Sequence, residues 1–146
     1  MFGDLLRRMT APDPDPLDDG DARLALAALL VRIARADGRY VQSEVARIDK
    51  VLTARYGLGP FEVANLRKDA EILEKEAPDT VRFTRAIKDA VPHDERAGIM
   101  EALWSVALAD GARDHEEDAL MRLVAPMLGI NDRDSALARQ RVENKA

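Results

Sequence analysis

The chain of 146 residues contains no cysteine, which removes disulfides, thiolate metal centres and cysteine nucleophiles together and suits a reducing cytoplasm. It has no Gly-rich phosphate loop, no His-Glu-x-x-His zinc helix and no G-x-S-x-G elbow. A long apolar run is also missing. The longest, residues 24–33, is interrupted by Arg32 and is too short to span a bilayer. No cleavable signal peptide is expected, because residues 1–10 place their arginines after their apolar residues and prolines follow. Positive charge is not in excess either. The formal net charge is −5, and an acidic surface repels duplex nucleic acid, so no nucleic-acid partner is expected. Aromatic residues make up only 4% of the chain, and its one tryptophan, Trp104, lies at helical spacing from Met100 and Ala107, as a core residue would.

What is present is helical periodicity. Residues 10–21 read TAPDPDPLDDGD, whose alternating prolines and five aspartates predict an extended acidic linker. Ahead of it, Phe2, Leu5, Leu6 and Met9 make a short amphipathic helix that must cover its apolar side, most simply against the body of the protein. Residues 1–21 are accordingly read as an N-terminal segment and residues 22–146 as one helical domain. No alternating strand pattern occurs after Asp21, and seven helices are expected. The first, about 22–36, is apolar almost all round, as a central helix should be. The second spans about 42–56 and stops at Gly57; the third starts at Pro60 and ends before Pro78. Asp79 caps a fourth that stops at Pro92, and a fifth covers about 94–109. A sixth, 115–128, has Pro126 bending or tightening its last turn, and a weaker seventh begins at Asn131 or Asp132 and fades into a charged tail. The short connections predict an all-α bundle with antiparallel neighbours.

Shifting the chain by 73 residues superposes Leu30 on Leu103, Ala34 on Ala107, Asp37-Gly38 on Asp110-Gly111, Glu44 on Glu117 and Val51 on Val124. The pattern describes two related helix-loop-helix units. Each Asp-Gly followed by a glutamate has the spacing of the back half of a calcium loop. The front half is wrong: the positions two and four residues before each aspartate hold Arg35 and Ile33, then Leu108 and Val106. Neither copy is an ordinary EF-hand. A site built from Asp37, Glu44, Asp110 and Glu117, with His115 and Glu116 nearby, requires the two loops to meet. Carboxylates of this kind suit calcium, magnesium or manganese.

A structural reading competes with the metal one. Asp114 and Glu117 form a capping-box pattern, and acids suit the positive end of a helix dipole. Val41 holds the corresponding cap position in the first copy and has no side-chain oxygen, so Glu44 fits only half of that pattern. Other candidates are weaker. His93 reads as the start of the fifth helix, His115 as an exposed loop residue, Tyr40 as shelter for the first loop, and Ser43, Ser105 and Ser135 have no base partner in sequence.

With its two ADG segments, each followed seven residues after the aspartate by a glutamate, the region from about residue 24 to 130 resembles the TerB-like family, named for tellurite-resistance protein B. The resemblance implies a cytoplasmic all-helical protein of tellurite and chemical stress, not an enzyme, with a divalent cation, calcium favoured, as cofactor and a membrane-bound TerC-like protein as partner. The family's acidic positions correspond to Asp37, Glu44, Asp110 and Glu117. Two alternatives stay open: a purely structural helical interaction domain, and an enzyme with a dicarboxylate site assembled in space.

Overall fold

Every stretch with a helical repeat of apolar residues folds as a helix. The computed structural model describes residues 2–10, 19–36, 38–77, 79–109 and 115–145. Among them the order is α1 (Gly3–Thr10), α2 (Asp19–Ala34), α3 (Gln42–Tyr56), α4 (Pro60–Glu76) and α5 (Thr80–Ala90), then a 3-10 turn (His93–Glu95), α6 (Arg96–Ala107), α7 (His115–Met127) and α8 (Asp132–Lys145). No strand occurs among the described residues, and the chain is an all-α bundle. The seven expected helices are α2 to α8, and the N-terminal segment adds an eighth. Two boundaries differ from expectation. The supposed linker is helical at both described ends, since α1 includes Thr10 and α2 begins at Asp19; residues 11–18 lie outside the described residues. The last helix does not fade early but continues to Lys145.

The apolar girth of α2 sets the architecture. Residues 25–31, 33 and 34 are all buried, and α2 packs on α3, α4, α5, α6 and α7. A helix buried all round needs neighbours on all sides, which is why the others wrap it. Beside α2, α6 supplies Ile99, Met100, Leu103 and Val106, and α5 supplies Phe83 and Ile87 to the same core. Leu5 of α1 is buried, with Phe2 and Leu6 packed beside it, so the amphipathic first helix closes onto the body through α5. The indole of Trp104 is buried, and its Nε1 donates to Ser135 Oγ at 3.2 Å, tying α6 to α8. A buried indole N–H left without a partner would be costly.

Helix ends follow from residues able to terminate them. Gly57 takes a left-handed conformation (φ 65°) and its N–H closes on the Thr53 carbonyl at 2.8 Å. Gly129 (φ 77°) closes α7: Ile130 N–H bonds the Ala125 carbonyl and Gly129 N–H the Pro126 carbonyl, the paired bonds of a Schellman motif. Pro126, inside α7, thus sits where the helix is already tightening. Asn131 then caps α8, its Oδ1 accepting the Asp134 N–H at 2.8 Å. The chain leaves α2 and α6 in the same way. Arg35 N–H bonds Val31 O and Ala36 N–H bonds Ile33 O, while Leu108 N–H bonds Trp104 O and Ala109 N–H bonds Val106 O. These partners are related by the same 73-residue shift.

Candidate functional site: the first Asp-Gly loop and its charged surround

The first loop is built by a left-handed glycine and a bare helix start. Gly38 (φ 80°) donates to the Arg35 carbonyl at 3.0 Å, turning the chain away from α2. The chain then runs without regular structure to Val41, whose backbone is extended, the residue before α3. Having no side-chain oxygen, Val41 offers its backbone carbonyl to the Glu44 N–H at 3.1 Å. Glu44 completes the half of the capping pattern open to it, Oε1 accepting the Val41 N–H at 3.1 Å. Although Val41, Gln42 and Ser43 are exposed, Glu44 is only 1% exposed. A carboxylate is expensive to bury unless hydrogen bonds compensate it, which makes Glu44 the most informative described acid of the four.

Around this loop lies a charged network joining α2, α3 and α4. Glu74 of α4 accepts from Arg35 Nη1 at 2.7 Å and from Arg32 Nε at 3.3 Å, so one carboxylate holds the end of α2 twice. The same arginines reach backbone carbonyls of α4, Arg32 at Glu74 and Arg35 at Glu71. Tyr40 does more than shelter the loop: its hydroxyl donates to Glu71 Oε2 at 2.7 Å, and the Arg35 guanidinium lies 4.8 Å from its ring centre. Burial, then the hydrogen bond to Glu71 and that residue's charge, push the Tyr40 phenol well above its ordinary range. Arg67 bridges Asp49 of α3 at 2.7 Å and Glu71 at 3.4 Å. Burial alone would weaken the proton affinity of Arg67, and these two carboxylates more than offset it.

Of the four acids singled out by the sequence, Glu44 alone has a described side chain. Asp37 and Asp110 lie outside the described residues; Glu117 falls in the first turn of α7, with its side chain outside them, as is that of His115. The flanks of the two loops do converge. Arg47, one turn beyond Glu44, donates through Nη1 to Ser105 Oγ in the last turn of α6 at 3.1 Å. The start of α3 and the end of α6 therefore stand side by side. Among the described residues no group of three or more His, Asp or Glu is placed to hold a metal ion. Calcium takes about six to eight oxygens, and Glu44 supplies two at most, one already on the Val41 amide, so Glu44 does not make a cation site alone.

Sequence reasoning missed the network of Arg32, Arg35, Asp49, Arg67, Glu71 and Glu74. A signal was available in part: Arg32 and Arg35 break an otherwise apolar helix, and Arg67 and Glu71 are an i, i+4 pair. Ser105 and Ser135, without any base partner, are hydrogen-bond acceptors between helices. His93 opens the 3-10 turn, exposed, with Nδ1 3.2 Å from Arg96 Nη1. No described helix is long and apolar enough to cross a membrane. Compared with known families, the chain matches the one described as Tellurite resistance protein TerB over residues 23–140. Neither the curated proteins nor the solved structures include a match to it.

Proposed function

This chain belongs to the tellurite resistance protein TerB family, and from that membership we propose that it is a non-catalytic module of the tellurite and chemical-stress response. Its working part is the pair of acidic Asp-Gly loops, which receive a divalent cation, calcium favoured, or a basic group of a protein partner. On this reading the chain works in the cytoplasm, and a membrane-bound TerC-like protein is the candidate partner. The observation that carries the proposal is the convergence at Arg47 and Ser105, which puts the flanks of both loops at one place with the buried Glu44 one turn away. Oxygen ligands from one loop are too few, so the cation reading draws on the acids of both Asp-Gly segments. That the module is non-catalytic rests on the lack of any nucleophile motif in the sequence.

The Val41 amide on Glu44 Oε1 favours a second reading, in which the loop only joins helices. The two separate on one substitution. In Glu44→Gln the amide oxygen still accepts the Val41 N–H, so the variant should fold, as thermal melts check, while the charge a cation or basic partner needs is gone. Isothermal titration with calcium, magnesium, manganese and zinc should show binding to the wild type that Glu44→Gln loses. Full binding by Glu44→Gln makes the loop a connection. No heat with any ion at millimolar concentration removes the cation and leaves the basic partner.

A further inference from the structure

A groove that begins at Arg47 and Ser105, beside the flanks of the acidic loops, and runs on along α3 has the opposite charge. We propose that the groove between α3, α6 and α8 is a docking site for an acidic helix of a partner protein. Its volume is about 850 Å³. One face of α3 lines it with Arg47, Lys50 and Arg55, and among the described residues none of these cations lies in a salt bridge. Among the described residues Arg47 donates to a neutral hydroxyl, Ser105 Oγ. Glu101, the acid that lines the groove, is engaged by Arg141 of α8 at 3.3 Å. On a chain with formal net charge −5 the groove is thus a local concentration of positive charge. Complementarity calls for an acidic occupant.

Small side chains line it too: Gly98, Ala102 and the exposed Ala54, beside the apolar Val51 and Val142. Gly98 stands in the first turn of α6, and its backbone needs no glycine, since it is not among the residues with positive φ. A Cβ there would meet only Arg55 Nη1, at 3.5 Å, an ordinary contact. Alanine would serve α6 better, because glycine weakens a helix. The backbone therefore does not account for Gly98; room in the groove next to Arg55 would.

The shape selects among acidic ligands. Residues 47–55 of α3 cover about 12 Å at the helical rise, the length of roughly two turns of a docked helix. A helix with carboxylates along one edge and small apolar residues beside them suits both the cations and the small side chains. A duplex would be repelled by a chain of net charge −5.

The probe is a dye-labelled synthetic helix with glutamates at i, i+3 and i+7 beside alanine and leucine, followed by fluorescence anisotropy with the full chain. Saturable, salt-sensitive binding is expected, weakened about tenfold or more by Lys50→Glu and by Arg55→Gln. Gly98→Leu should weaken it similarly without changing any charge, and Gly98→Ala should weaken it less; thermal melts confirm that each variant is folded. Lys68→Glu on α4 should bind as wild type does, which assigns the loss at Lys50 and Arg55 to the groove and not to a general change of charge. The proposal is overturned by no binding, by equal binding of a lysine-for-glutamate peptide, or by Gly98→Leu binding like wild type. Tighter binding of duplex DNA or phosphatidylglycerol vesicles, or a peptide effect explained by self-association of the chain in sedimentation, would overturn it as well.

Discussion

Tyr40 shows how one side chain couples a loop to the body of the protein. Its hydroxyl holds Glu71, two residues after the left-handed Gly38, so the exit of the first loop is pinned to α4. The bond exists only while the phenol is protonated, and burial together with the Glu71 charge raises its proton affinity in the folded chain. The unfolded phenol titrates near about 10. A raised folded value means that this contribution is fully present below about pH 10 and is lost as pH rises through the folded value. Tyr40→Phe should therefore cost about 1.5–3 kcal/mol at neutral pH, the range for a hydrogen bond to a charged group. Its deficit should shrink as urea melts are repeated above about pH 10. A deficit independent of alkaline pH would mean that the contribution does not depend on the phenol's proton. Sequence suggested Tyr40 only as a cover for the loop, because Glu71 lies 31 residues away and no local pattern joins them.

At the scale of elements, helix ends were legible wherever one residue type does the work. Gly57, Pro60 and Asn131 stop or start helices as their backbone or side-chain chemistry requires. The end of α7 was harder to read, because Pro126 suggests a bend while the closure depends on Gly129 three residues on. Gly129 has two reasons to be glycine. Its φ of 77° is one that other residues rarely adopt, and an added Cβ would lie 3.2 Å from Arg96 Nη1. Gly129→Ala should cost about 1–2 kcal/mol from the left-handed conformation alone. Chemical denaturation checks this, and Gly98→Ala is the built-in contrast. That substitution, at a glycine without positive φ, should be neutral or stabilising. Equal losses at both positions would show that conformation is not what distinguishes them.

For the whole molecule, α2 is the element on which the bundle depends. Because it packs on five other helices, a cavity in it removes contacts from most of the core at once. Leu29 is fully buried, and Leu29→Ala should cost about 2–5 kcal/mol. The loss should appear as one cooperative transition, since a single core connects α1 to α8. Trp104 fluorescence and far-ultraviolet circular dichroism should shift together. Separate midpoints would mean that α6 and α8, tied by Trp104 and Ser135, unfold apart from α2.

The sequence by itself determined the helices, the central place of α2 and the family, because all three depend on features short in sequence. Apolar spacing, caps and turn glycines act within about four residues, and the ADG segments are short motifs. The charged network and the basic groove were decided by tertiary structure. Glu74 meets Arg32 from 42 residues away and Arg47 meets Ser105 from 58, and only the crossing of packed helices brings such pairs together. Glu44 stands between the two cases. Its bond to Val41 is local and was readable in half, whereas its burial to 1% exposure is a property of the packed chain that no local pattern carries.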